Sequence, residues 1–156
     1  MPEPVQNLKL EQAIGMHVNR TAFLMSEEIA RRFSQHGYAI SAPDFGILYR
    51  LMEQGPMTQV DIATVMMRDK TTITRRIDAL VKKGLVERTP CKEDRRCFRI
   101  RLTDKGDSTL QVTMPLVHGF QQEVLSDISD EEKAITIKTL EHISKTIITK
   151  KGVSNV

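Results

Sequence analysis

Residues whose chemistry suits a polyanion are concentrated in one quarter of the chain. Between Arg68 and Lys105 stand thirteen Lys/Arg against six Asp/Glu, a net of +7, while the whole chain carries +3, leaving −4 for the remainder. Positive charge gathered in this way is the electrostatic footprint of a nucleic-acid-binding face, although a solvated charged surface gives the same count. The residue types sharpen the choice. Arg forks onto the guanine edge, Thr bonds phosphate or touches a thymine methyl, and a helix N-terminus attracts phosphate. Arg68, Lys70, Thr71, Thr72, Thr74 and Arg75 combine these features at the start of one segment. A second group, Lys92, Asp94, Arg95 and Arg96, occupies a polar loop, where an Arg suits the narrow, strongly negative minor groove. Asp94 repels phosphate, so its expected use is to pair with a neighbouring Arg and hold the loop in shape.

Helical and strand periods say what positions these residues. Asp69 is spaced to cap a helix from Lys70 to about Lys83, whose apolar residues Ile73, Ile77, Leu80 and Val81 share a face. Thr71, Arg75, Asp78 and Lys82 fall opposite them, with Thr72 and Thr74 flanking. Thr58-Gln-Val-Asp61 starts a shorter helix just before, and two short helices joined by a tight turn, the second basic, form a helix-turn-helix. After Gly84 the period changes. Leu85–Thr89 reads as one strand and Cys97–Leu102 as another, with Phe98, Ile100 and Leu102 inward and Arg99 and Arg101 outward. The pair predicts a hairpin wing with a basic tip.

Outside this lobe the chain reads as long amphipathic helices. Leu10, Ile14, Val18, Ala22, Met25, Ile29 and Phe33 form one stripe that ends near His36-Gly37. At about seven turns it exceeds what a small core needs, so part of the stripe is expected to meet another chain. Ser41-Ala-Pro-Asp44 is a capping box opening a helix with Phe45, Leu48, Leu51 and Met52, which Gln54-Gly55-Pro56 stops. From Thr103 the helical period resumes through Leu110, Met114, Val117, Val124 and Ile128, with a kink expected at Pro115. A second box, Ser129-Asp-Glu-Glu132, opens a last helix with Ile137, Leu140, Ile143 and Ile147 on one face. The fold class that follows is mainly α, a winged helix-turn-helix between N- and C-terminal helices with a small β-hairpin.

Composition removes several function classes. With 156 residues, 40% apolar and 28% charged, the chain suits one folded domain, and 4% aromatic leaves the core to Leu, Ile, Val and Met. No apolar run is long enough to span a bilayer and the opening MPEPVQNLKLEQAIG lacks a signal-peptide pattern, so a cytoplasmic location is expected, with no membrane partner. No nucleotide-binding glycine loop, nucleophile elbow or paired metal-ligand motif appears, which argues against an enzyme and predicts no cofactor. His17, His36, His118 and His142 are scattered without an i, i+4 pair, so no metal site is expected. Met25, Met52, Met66, Met67 and Met114 suit core filling and equally an adaptable ligand pocket. Cys91 and Cys97 flank the wing loop; reduced thiols are the default, and a disulfide across the hairpin requires α-carbons within about 7 Å.

The runs Gly55-Pro-Met-Thr-Gln-Val-Asp-Ile-Ala63, Asp69-Lys-Thr-Thr-Ile-Thr-Arg75, Leu80-Val-Lys-Lys-Gly-Leu-Val-Glu-Arg88, Glu93-Asp-Arg-Arg96 and Leu102-Thr-Asp-Lys-Gly106 together resemble the MarR/SlyA family of transcriptional regulators. The likeness covers most of the chain, and its wing motif is specific. It implies a single domain over 1–156, with dimerisation helices at 8–36 and 104–149 around a winged lobe at 41–103. It also implies a homodimer whose first and last two helices intertwine, each lobe meeting half of a palindromic operator in double-stranded DNA. Asp94 would then brace the wing and Arg96 enter the minor groove. Members of the family often sense small lipophilic anions, commonly phenolic, in a crevice between dimer helices and lobe. Others sense metals, or oxidants through a cysteine nearer the N-terminus. Which effector this chain takes, and where, is not legible. The function so implied is a sequence-specific, ligand-responsive repressor. The alternative is a winged-helix adaptor for protein partners, which would have no use for a basic Thr/Arg face.

Overall fold

The computed structural model describes residues 9–151. Residues 1–8, which include part of the opening stretch and the first residue of the 8–36 segment, and residues 152–156 lie outside them. A 3-10 turn, Leu10–Gln12, closes through the Ala13 N–H to the Leu10 carbonyl at 3.0 Å, and the chain is extended at Ala13 before α1 (Ile14–Gln35) begins. The unbroken helix expected from Leu10 is thus interrupted after one turn. Helix α1 does end where expected: Gly37 takes φ +85° and lets the Tyr38 N–H return to the Phe33 carbonyl at 2.9 Å.

Side-chain caps start the remaining helices. In α2 (Ala42–Gln54) the Asp44 N–H donates to Ser41 Oγ while the Ser41 N–H donates to the Asp44 carboxylate, at 3.2 and 3.1 Å. After the two-residue strand β1 (Met57–Thr58), Thr58 Oγ1 accepts the Asp61 N–H and opens α3 (Gln59–Met66). Asp69 accepts the Thr72 N–H at 2.8 Å and opens α4 (Lys70–Lys82). Strands β2 (Val86–Pro90) and β3 (Phe98–Leu102) follow, then α5 (Asp104–Val124), capped by Thr103, and α6 (Asp130–Lys150), opened by the Ser129–Glu132 box. Replacing a neutral cap such as Ser41 or Thr58 by Ala typically costs about 1 kcal/mol, enough to fix these boundaries. Pro115 lies inside α5 without ending it.

The sheet is antiparallel in the order β1-β3-β2, with Met57 opposite Ile100, Arg88 also opposite Ile100, and Pro90 opposite Phe98. Strand β1 was not legible in the sequence, where Thr58 reads only as a cap; it gives β3 a partner on both edges. Beneath the sheet, Ile47, Leu48 and Leu51 of α2, Ile62 of α3, and Ile73, Ile77 and Leu80 of α4 enclose Val86 and Ile100, with Phe33 and Leu110 closing the core from α1 and α5. The alternation expected along β3 holds for Ile100, which is buried, but not for Phe98, which is 45% exposed. That residue sits where the hairpin has run past the helices, so no second layer covers it.

A different kind of exposure marks the long helices. Ile14 and Val18 of α1 are exposed, as are Ile135, Ile137, Leu140 and Ile147 of α6, and α6 buries none of its residues. Scattered exposed apolar side chains are ordinary, but sets of them along two long helices form the kind of surface that associates.

Candidate nucleic-acid interface

The turn between α3 and α4 is what aims the second helix. Met67 closes α3 in the left-handed region at φ 51°, and the Arg68 N–H reaches back to the Ala63 carbonyl at 3.0 Å. Asp69 then starts α4 at once, so three residues separate the helices. Burial of Ile73, Ile77 and Leu80 on the lobe side turns the opposite face of α4 outward. Arg68, Lys70, Thr71 and Arg75 are exposed on or just before that helix, and none of the three cations enters an ion pair among the described residues.

The other two predicted residues are engaged within the protein. Thr72 donates its hydroxyl to the Asp69 carboxylate at 2.7 Å and its N–H to the same group. These two bonds, the hydroxyl first, hold the Asp69 carboxyl below its usual range and keep the cap ionised. Thr74 donates to the Lys70 carbonyl at 2.8 Å and accepts from Gln59 Nε2 at 3.1 Å. Both threonines therefore brace the helix-turn-helix, which their outward position on a helical wheel does not reveal.

Arg76 and Arg88, with Asp78 and Gln59 as partners of the latter, carry the scaffold of the face, a role the sequence did not show. Arg76 donates to Ser41 Oγ and Asp44 Oδ1, both at 3.2 Å, so α4 is tied to the capping box of α2. Arg88 of β2 pairs with Asp78 of α4 and reaches Gln59 Oε1 of α3 at 3.3 Å. Through Gln59 and Thr74 this network joins both helices of the motif to the wing. Its members lie far apart in sequence, and neither period nor capping pattern signals their pairing.

In the wing, the tip residues Lys92, Asp94, Arg95 and Arg96 are all exposed. Asp94 does brace the loop, but through the backbone: its Oδ1 accepts the Arg96 N–H at 2.9 Å, and it forms no ion pair among the described residues. A short loop that offers a free N–H two residues on makes this Asx turn cheaper than fixing a mobile guanidinium. Farther down, Arg101 is paired with Glu87 and Arg99 reaches the Pro56 carbonyl at 3.4 Å, leaving the free cations at the tip. Cys91 and Cys97 are bonded as a disulfide, with α-carbons 5.4 Å apart, in place of the reduced thiols expected. The hairpin register sets them opposite each other, one pair beyond Pro90 and Phe98.

Besides the packing of Leu110 in the core, hydrogen bonds tie the lobe to the start of α5. The Thr103 N–H donates to the Leu85 carbonyl at 3.2 Å, Thr103 Oγ1 donates to the Gly84 carbonyl, and Lys105 Nζ donates to the Lys83 carbonyl at 2.8 Å. The last turn of α4 and the first turn of α5 therefore move together. At the far end of α5, an apolar groove lined by Leu24, Met25, Phe120, Val124, Leu125 and Ile128 opens between α1 and α5. Among the described residues no cluster of three His, Cys, Asp or Glu could hold a metal ion, and no helix is long and apolar enough to cross a membrane.

The model of the MarR family matches residues 40–98, the stretch from the start of α2 into the wing. The transcriptional regulator PecS of Dickeya dadantii is 28% identical over 134 residues, covering 84% of this chain and 80% of PecS. Among solved structures, AbsC, a MarR family transcriptional regulator of Streptomyces coelicolor, superposes with a TM-score of 0.80 at 22% identity over 92% of this chain and 98% of that one, a likeness of fold. A mutant MarR of E. coli complexed with operator DNA gives a TM-score of 0.72 at 26% identity over 86% of this chain and 93% of that one. The named relatives are transcriptional regulators and not enzymes.

Proposed function

We propose that the protein belongs to the MarR family, whose model matches its winged lobe over residues 40–98, and that it is a repressor that binds double-stranded DNA as a homodimer on a palindromic operator. The observation that carries the reading is a clustering of exposed cations that form no ion pair among the described residues: Arg68, Lys70 and Arg75 at the start of α4, with Lys92, Arg95 and Arg96 at the wing tip. Neutralising them costs nothing already invested in the fold, whereas Arg76, Arg88 and Arg101 are committed to internal partners. Helix α4 enters the major groove with Thr71 and Arg75 toward base edges, and the wing lays Arg96 along the minor groove while Asp94 keeps the tip bent.

The second copy is the occupant that best suits the apolar stripes of α1 and α6. Segments 8–36 and 104–149 then form the dimer body around two lobes of residues 41–103, set about one helical turn of DNA apart. Because α5 is clamped to the end of α4, a shift in the body changes the spacing of the two recognition helices. A small lipophilic or phenolic anion bound between body and lobe would release the DNA by that route, since losing simultaneous docking loses the second contact's avidity.

Selection of bound duplexes from a random pool tests this directly, and a twofold-symmetric half-site pair is the expected result. Titration of the selected duplex with salt should give a log–log slope of about −7 if a dimer neutralises about eight phosphates. A flat salt response with no enriched sequence would reject DNA as the partner and favour a protein-binding adaptor.

A further inference from the structure

We propose that Cys91 and Cys97 form a reversible dithiol–disulfide pair that sets the stiffness of the wing, and through it the grip on DNA, with a peroxide as the oxidant; the second half of this statement rests on the wing's proposed DNA contact. Three observations carry it. The hairpin register sets the two cysteines directly across from each other, and the Cys91 N–H donates to the Cys97 carbonyl at 2.9 Å, continuing the ladder beyond Pro90 and Phe98. Their α-carbons are 5.4 Å apart, inside the range a disulfide spans, so bond formation asks for no backbone rearrangement. Both residues are half-buried at the neck of the hairpin, within reach of a small oxidant, while every residue from Lys92 to Arg96 is exposed.

The consequence for the tip follows from how little else holds it. No apolar residue lies between the cysteines, and the loop's internal restraints are the ladder bond at the neck, the Cys97 N–H to the Asp94 carbonyl at 3.1 Å, and the Arg96 N–H to Asp94 Oδ1. With the covalent link present, the cations are carried on a closed loop of seven residues. With the link broken, the tip frays and must be ordered again when it meets the groove. The oxidised wing is the pre-organised one and binds more tightly.

The chemistry balances with hydrogen peroxide as the two-electron oxidant. One thiolate attacks the peroxide, breaking the O–O bond to give a sulfenic acid and, after protonation, one water. The second thiol attacks that sulfur, the S–S bond forms, and the hydroxyl leaves as a second water. A small dithiol reverses the reaction by exchange.

The test uses the full chain, reduced with dithiothreitol or oxidised with hydrogen peroxide, and a duplex selected by the reduced protein. Thiol titration should fall from two groups to none and recover on reduction, with the chains running singly on a non-reducing denaturing gel. Duplex affinity by fluorescence anisotropy should rise on the order of tenfold on oxidation, equivalent to ordering about one backbone residue. Cys91→Ser and Cys97→Ser should hold the reduced affinity with or without peroxide. Two titratable thiols after peroxide, cross-linked chains, or an oxidised affinity equal to or below the reduced one would overturn the proposal. A chain that cycles between two thiols and none yet binds no duplex in either state would support the disulfide site and overturn the DNA reading beneath it.

Discussion

Gly106 and Leu85 pack so closely that a Cβ on Gly106 would stand 2.0 Å from the Leu85 carbonyl oxygen. The contact belongs to the junction where Thr103 and Lys105 also bond the end of α4, and it explains why the first turn of α5 carries a glycine without a left-handed backbone. Gly106→Ala must displace a backbone carbonyl, so a loss of about 3 kcal/mol in urea unfolding is expected. Gly119 in the same helix is the control: a Cβ there meets nothing within 4 Å. Gly119→Ala should stabilise by about 0.5–1 kcal/mol. Equal effects at the two positions would show that the junction is not close-packed in solution.

Features decided within three or four residues were legible in the sequence, and features decided across the fold were not. Ser41 with Asp44, and Ser129 with Glu132, close boxes between near neighbours, so spacing alone announces them. The partners of Arg76 and Arg88 lie up to 35 and 29 residues away and depend on how α4 and β2 meet α2 and α3. Phe98 keeps the period of β3 but lies past the helices that bury Ile100, because a period describes a face and not how far its cover extends. The break at Ala13 runs against propensity, since Ala is the best helix former and the apolar stripe continues through it. Strand β1 is two residues long, too short to show any period. The candidate cations were legible from residue type and place, whereas the bracing roles of Thr72 and Thr74 needed coordinates.

Those bracing roles separate two substitutions on one helix. Arg75 is exposed and unpaired, so Arg75→Ala should weaken operator binding by about 1–3 kcal/mol and relax preference at one base pair per half-site. Thr74→Val removes the bond from Gln59 but no proposed base contact. Its expected effect is a small loss of lobe stability with the base preference unchanged, read by thermal melting and by binding to duplexes mutated one position at a time. A changed base preference in Thr74→Val would move that residue into the groove.

Acid should weaken the charge cluster along α1 in a defined window. Hydrogen bonds from Arg31 first and Arg32 second hold the Glu28 carboxyl at about 2, below its ordinary 4.5. Arg32 in turn bonds Glu123 of α5 at 2.7 Å and lies 5.1 Å over the Phe120 ring. A carboxyl lowered by folding contributes stability that is present above 4.5 and lost as pH falls through about 2. Wild type should therefore melt above Glu28→Gln at neutral pH, and the gap should close between pH 4.5 and 2. It should also narrow in high salt, because the pair is solvent-exposed. A gap constant across that range would place the stabilisation elsewhere than in the carboxylate.

Helix α6 is the element whose existence a single chain explains least. It has a complete capping box and an apolar set, yet Ile137 and Leu140 are 58% and 39% exposed and nothing on the helix is buried. Helical stability in water comes chiefly from packing an apolar face, so 21 residues of this kind call for a partner surface. Placing a charge in that surface leaves it buried and unpaired in a dimer but solvated in a monomer, which selects against association. Ile137→Glu or Leu140→Glu should accordingly halve the mass measured by sedimentation while the winged lobe keeps its fold, and operator affinity should fall by about a hundredfold or more as bivalent binding is lost. A wild-type chain that sediments as a monomer, or variants that remain dimeric with full affinity, would remove α6 from the interface and leave its exposed stripe to a different partner.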